Sequence, residues 1–455
     1  MVEGKSLDAP FKAYGRLRAV LEAACAEEHC SRQSLTVLAK DNDPYRVDTP
    51  AGHRDAEWAA EHLERAFGPY RNADPRGLHY ACVAAGDIVK PNGEIYINSP
   101  GDDAWLALAI KSARWLSYIP FGRISDNRNS EPLIFRASGR VERPSASLRT
   151  YAFIGSIETP RVCFASPEPA LDNFNRPQPY AIVIFGEKSS LEDVLLPIAR
   201  RYSADLYLGA GEASDSLLHQ MAKDGAEDGR PLVVITATDF DPAGWQMPVS
   251  IGRKLQAFRD LLFPDLQFEV VPAALTIDQV RTLDLPSTPL KESEKRASRW
   301  REEFGHEQTE IDALATLRPN VLREIIERAI APYYDSTLDQ RIARARDAWR
   351  RRAQRIVDRR IDDQELDELR ESARAIEAEL KEKIDALTSE ADDRIAVINE
   401  RLEEMIEGIE LPKAVLPEVE LAEKAWQAIL VSSEWSFAKA SQALKARKSY
   451  GEGES

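Results

Sequence analysis

The chain of 455 residues is poor in cysteine, with only four, and none of them forms a Cys-x-x-Cys pair. That pattern excludes a disulfide framework and the usual zinc spacing. Cys25, His29 and Cys30 lie close together, but no fourth ligand accompanies them, so the thiols are expected to be buried. No apolar run approaches the length that spans a bilayer, so a membrane-spanning helix is not expected. The segment Met1–Pro10 lacks the apolar core of a signal peptide, which points to a cytoplasmic location. No Gly-x-x-x-x-Gly-Lys-Ser/Thr sequence occurs, so an ATP-driven step would need a separate subunit. There is no basic excess either. The formal net charge is -16, which argues against a protein that coats nucleic acid without selectivity. Local basic surfaces remain open, because the acids are unevenly spread.

What is present is a series of apolar runs that end in carboxylates. Ala181-Ile-Val-Ile-Phe-Gly186 leads to Glu187, and Pro231-Leu-Val-Val-Ile-Thr-Ala-Thr238 leads to Asp239 and Asp241. Fully apolar runs of this length read as strands buried on both faces, as in parallel sheets. Ligands of such sheets collect at the carboxyl ends of the strands. Glu187, Asp239 and Asp241 are therefore candidate ligands of Mg2+ or Mn2+, hard cations that take oxygen donors. The other reading is a set of exposed acids near helix N-termini. Pro242 and Gly244 suit a tight turn into a helix.

Around these runs, residues 180–275 alternate strand and helix, a βαβ series. Strands are predicted at 180–185, 205–208, 232–236 and 267–272, with helices at 191–202, 215–223 and 248–263. Before it, residues 8–27 read as an amphipathic helix, with Phe11, Tyr14 and Leu17 on its apolar face. A polar segment runs from Lys40 to His53. Helices at 54–67, 76–85 and 102–118, with a strand-like piece at 93–98, suggest a winged helix-turn-helix over 51–130. The same pattern fits a small structural helical domain. Residues 131–178 read as a connecting segment with irregular β structure. The βαβ domain covers 179–332.

After 335 a long charged helical region runs to about 410. Residues 341–360 hold nine arginines and two aspartates, whereas 361–410 hold six Lys/Arg and eighteen Asp/Glu. An apolar stripe from Leu369 to Ile409 recurs about every 3.6 residues, the period of a straight helix. The stripe needs a partner, either the preceding helix folded back or another subunit. The arginine run either binds phosphates or pairs with the acidic helix across a hairpin, and the hairpin is the favoured arrangement. Residues 411–455 read as a C-terminal helix, with Trp426 and Trp435 in a helical pattern, and a polar tail. The fold class is thus α/β plus α.

Phe185-Gly-Glu-Lys-Ser-Ser190 and Thr238-Asp-Phe-Asp-Pro-Ala-Gly244 resemble the two signature segments of toprim domains, found in topoisomerases, primases and some nucleases. The resemblance implies a general acid/base role for Glu187 and magnesium ligation by Asp239 and Asp241. Gly209–Ser214 falls where another loop common in this group lies. Arg76-Gly-Leu-His-Tyr80 resembles the Arg-x-x-Tyr-Tyr segment in the winged helix of the topoisomerase VI A subunit and the meiotic double-strand-break transesterases. That implies a nucleophilic Tyr80 assisted by Arg76, with His79 standing where the family has its first aromatic. Without the resemblance, Tyr80 reads as a buried aromatic beside Leu78 and Val83. Thr309-Glu-Ile-Asp-Ala-Leu314 resembles an acidic segment that follows toprim in related bacterial proteins, which adds Glu310. Lys111, Arg114, Arg123 and Arg128 are the candidate DNA contacts.

These resemblances cover roughly residues 50–330. They imply magnesium-dependent cleavage of double-stranded DNA by a homodimer, each tyrosine meeting the other subunit's toprim, with a separate ATPase partner for any strand passage. The alternatives are a hydrolytic toprim nuclease of a bacterial mobile-element or defence system, and a non-catalytic DNA-binding scaffold.

Overall fold

The computed structural model describes residues 15–39, 41–69, 72, 74–124, 133–137, 144–154, 162–209, 213–292, 294–382, 388–421 and 426–449. Phe11 and Tyr14, the loop residues 210–212 and Arg128 lie outside them. The chain divides into two compact units. The first joins residues 1–138, 179–334 and 421–455, and the second joins 139–178 and 335–420.

The centre of the first unit is a six-stranded mixed sheet. Its strands are β1 (Leu133–Phe135), β4 (Ala181–Gly186), β5 (Asp205–Leu208), β6 (Leu232–Ala237), β7 (Phe268–Ala274) and β8 (Val431–Ser432), in the order β1-β5-β4-β6-β7-β8. The inner four strands are parallel, and the two edge strands run antiparallel to them. The apolar runs are apolar throughout because both faces are covered. Along β4, Val183 and Phe185 join one core while Ile182 and Ile184 join the other. On β6, Leu232 and Val234 face the first core, and Val233 and Ile235 the second. That is the period-two alternation of a strand, hidden in the sequence because neither face is polar.

The helix after β6 spans Pro242–Leu261, six residues earlier than the expected start at Pro248. Pro248 lies inside it, so that proline is tolerated in the second turn and does not mark the beginning. The true start is set by Asp241, whose side chain accepts from the Ala243 and Gly244 amides. Three other helices begin in the same way: Thr49 caps Pro50–Phe67, Asp74 caps Pro75–Ala85, and Ser99 caps Pro100–Trp115. In each, a short polar side chain satisfies an end amide, and proline follows where no amide is needed. The expected strand at 93–98 is only a bridge, Val89 to Ile95, closing a small turn between the second and third of these helices. These helices share a core of Trp58, Leu63, Leu78, Tyr96, Leu106 and Ile110. The thiols of Cys25 and Cys30 are partly exposed, not buried as expected; Cys163 is exposed, and Cys82 is buried.

The second unit corrects the reading of 131–178 as a connector. β2 (Ser145–Ile154) and β3 (Val162–Asp172) form a long antiparallel hairpin. Three helices pack with it: Leu338–Arg360, Asp363–Glu382 and Thr388–Ile406. The apolar stripe is therefore not one continuous helix. Its two halves fold back on each other, and Ala373, Ile376, Ile395, Ile398 and Leu402 close over Ala152 of β2. Asn399 clamps the same strand, its amide nitrogen donating to the Ala152 carbonyl at 2.9 Å. Stripe positions 380–391 carry side chains outside the described set.

Charge pairing also differs from expectation. Among the described residues no ion pair joins the arginine-rich helix to the acidic helices. The acidic helices supply their own cations, with Arg394 pairing Glu379 and Arg401 pairing Glu365. None of the described helices is long and apolar enough to cross a membrane.

Candidate functional site

The site stands at the carboxyl ends of β4 and β6. The Glu187 amide donates to the Ala237 carbonyl, continuing the ladder one residue beyond the strands. The Asp239 amide in turn donates to Glu187 Oε2 at 2.8 Å. Between the two aspartates, Phe240 is fully buried, its ring 4.8 Å from that of Trp300 and 5.3 Å from that of Phe304. Its backbone bonds both ways with Thr309. This aromatic anchor fixes the bend between the two aspartates. Gly244 completes it, since a Cβ there would lie 2.3 Å from the Asp239 carbonyl oxygen.

The carboxylates are differently engaged. Asp239 Oδ1 accepts from the Ile311 amide at 2.8 Å, and its Oδ2 meets Lys188 Nζ at 3.0 Å. Asp241 Oδ1 is taken by the helix cap, at 2.9 and 2.7 Å. No described partner engages the other oxygens of Glu187 and Asp241. Burial, then the charge of Asp239, pushes Glu187 up to about 7. Burial also raises Asp239.

Lys188 was not among the residues picked from the sequence, although it follows Glu187 directly. Its ammonium lies 3.0 Å from Asp239, 3.0 Å from Glu310 and 3.1 Å from Asp312. Burial opposes its charge, but the hydrogen bonds to Asp239 and Glu310 hold it well above the ordinary lysine value. Asp312 is a second residue missed in the sequence, and its Oδ1 accepts from Ser190 at 2.6 Å. The structure thus brings Glu310 to the acid cluster, as the Thr309–Leu314 segment suggested.

A divalent cation fits this donor set in chemistry. All the candidate ligands are carboxylate oxygens, and the cluster already stabilises one positive charge. Among the described residues no three carboxylates share one ready coordination point. The lysine ammonium, with its three donors, is what draws Asp239, Glu310 and Asp312 together.

Tyr80 is on the second of the three capped helices and 54% exposed, so it is not the core aromatic that its neighbours Leu78 and Val83 suggest. Its hydroxyl has no described partner. Arg76, one turn earlier, is exposed, and its guanidinium likewise has none. His79 is buried, with Nδ1 2.8 Å from the Tyr96 hydroxyl and Nε2 3.1 Å from Asn98 Oδ1. That pair of bonds sets the helix orientation and leaves Tyr80 outward. No described hydrogen bond or ion pair links Tyr80 or Arg76 to the acid cluster.

The candidate DNA contacts fare differently. Arg114 is buried and donates to the Phe121 carbonyl at 3.2 Å and to Ser216 Oγ at 2.7 Å, so it is a packing residue with no face for phosphate. Arg123 holds the Gly68 carbonyl at 2.7 Å, which ties down the chain after the first helix. Lys111 donates to Asn42 Oδ1 at 3.0 Å. Arg128 lies outside the described residues. No protein-family model matches this chain, and no curated protein matches it.

Proposed function

We propose that the protein cleaves double-stranded DNA by tyrosyl transesterification, with magnesium or manganese held by Glu187, Asp239 and Asp241. The reading joins a toprim-like acid site to a winged-helix-like helical module, on the motif resemblances given above. The observation that favours transesterification over hydrolysis is Tyr80, a tyrosine kept at the surface one helical turn from the exposed Arg76, neither side chain having a partner among the described residues.

In this mechanism the Tyr80 hydroxyl oxygen attacks phosphorus. One ester bond forms, and the bond to the displaced deoxyribose oxygen breaks. Arg76 holds the non-bridging oxygens through charged hydrogen bonds. Glu187 accepts or returns the proton that moves in the step. Glu187, Asp239 and Asp241 would hold a divalent cation that, when bound, would supply charge stabilisation at the phosphate. Because nothing described ties Tyr80 to the acids of its own chain, a homodimer in which each tyrosine serves the other subunit suits the arrangement. Strand passage would need a separate ATPase subunit.

The test is supercoiled plasmid with magnesium or manganese, analysed with and without protease. Ends that require protease to enter the gel, absent with Tyr80→Phe and Asp239→Ala, support the reading. Free ends lost only with Asp239→Ala would replace it with a hydrolytic nuclease.

A further inference from the structure

The second unit carries a feature that the cleavage site does not use. The helix Leu338–Arg360 contains nine arginines and no lysine. Two of the nine serve the fold. Arg341 pairs with Asp335, and Arg346 donates to the Phe174 carbonyl at 2.9 Å. The other seven, Arg344, Arg350, Arg351, Arg352, Arg355, Arg359 and Arg360, are exposed, and none has a described partner.

Their placement is ordered. At about 100° per residue, Arg344, Arg351, Arg352, Arg355 and Arg359 fall within an arc of roughly 100°. The buried residues Ile342, Trp349, Ala353 and Val357 lie on the opposite side. Asp347 and Asp358 border the arginine arc on one edge. From Arg344 to Arg359 the stripe extends about 22 Å along the axis.

Arginines four apart, such as 351, 355 and 359, repel one another in an isolated helix by a few tenths of a kcal/mol per pair. A solvated face needs no such crowding, and the neighbouring acidic helices avoid it by pairing internally. The choice of arginine over lysine suits an anion with paired oxygens, because the guanidinium fork binds phosphate bidentately. A membrane surface would call for an exposed apolar face beside the charges, and here the apolar face is packed inside the unit.

We infer that this arginine face is a docking surface for the phosphate backbone of double-stranded DNA. A straight stripe of this length spans about six phosphates of one strand at 3.4 Å of axis each. The identity of the polyanion as DNA rests on the function proposed above; the binding itself does not need the cleavage site.

The experiment is fluorescence anisotropy of a labelled 30-base-pair duplex in EDTA, where no cleavage occurs, over a series of salt concentrations. The wild-type chain is compared with the triple variant Arg351→Gln, Arg355→Gln, Arg359→Gln and with Arg328→Gln, an exposed arginine outside the stripe. The triple variant is expected to lose at least tenfold in affinity and to lower the slope of log K against log salt by about 2.7. Arg328→Gln should bind as wild type. Unchanged affinity and slope in a triple variant that melts as wild type would overturn the inference. So would a wild-type chain that does not bind duplex, or one from which polyglutamate displaces duplex at equal charge concentration. Wild-type protein that binds duplex through these arginines yet never cuts plasmid in magnesium would sink only the cleavage reading.

Discussion

Lys188 Nζ lies 3.0 Å from Asp239 Oδ2, so the site carries its own counter-cation in the residue after Glu187. Glu310 and Asp312 complete the ammonium's shell. Lys188→Met should leave these acids uncompensated and destabilise the metal-free protein by roughly 1–3 kcal/mol, the ammonium being partly exposed. Magnesium should then raise the melting temperature of the variant more than that of wild type. An equal magnesium shift in both proteins would show that the lysine does not share the cation's charge environment.

Glu187 gives a pH signature. A carboxyl raised from 4.5 to about 7 holds its proton more tightly in the folded chain. Its contribution to stability is full at low pH and is lost as the pH rises from about 4.5 through about 7, at most about 3 kcal/mol. In metal-free buffer, Glu187→Gln should melt near wild type at pH 5 and above it at pH 8. A difference that does not grow with pH would place the Glu187 transition outside this window.

Tyr80→Phe should cost almost no stability, because the side chain is exposed and its hydroxyl has no described partner. Under the proposed transesterification it should abolish the covalent protein-DNA adduct. Melting curves and adduct gels on the same preparation separate the two effects. His79→Phe, in contrast, removes the bonds to Tyr96 and Asn98 and should lower stability by about 1–3 kcal/mol.

Asp43 and Arg253 form a fully buried ion pair, with Arg253 Nε donating at 3.0 Å. The guanidinium sits over the rings of Tyr45 and Phe437 and also donates to the Leu35 carbonyl. Asp43→Ala strands that charge and should cost about 3–5 kcal/mol in urea unfolding. A loss below 1 kcal/mol would mean that water reaches the pair.

The sequence by itself determined the inner strands and the positions of their terminal acids. Long β-branched runs such as Val233–Ile235 can hardly stay exposed, and period two with both faces apolar admits little else. The helix starts were encoded as well, since Thr49-Pro50, Asp74-Pro75 and Ser99-Pro100 act through neighbouring amides, although the apolar spacing alone puts those starts at 54, 76 and 102. Even Asp241-Pro242 carried that signal, though Pro248 was the residue read as the start. The apolar positions of the acidic helices were legible from their spacing, but what covers them was not. Only the tertiary structure decided that β2 and β3 lie in one unit with residues 335–420, because the packing of helices on a hairpin more than a hundred residues earlier leaves no local period. It alone placed Lys188 against Glu310 and Asp312, buried Arg114, and turned Asp43 of a polar loop into the partner of Arg253. Each of these depends on which distant backbone carries the charge into contact, and charge, unlike hydrophobic period, has no preferred face until that contact is made.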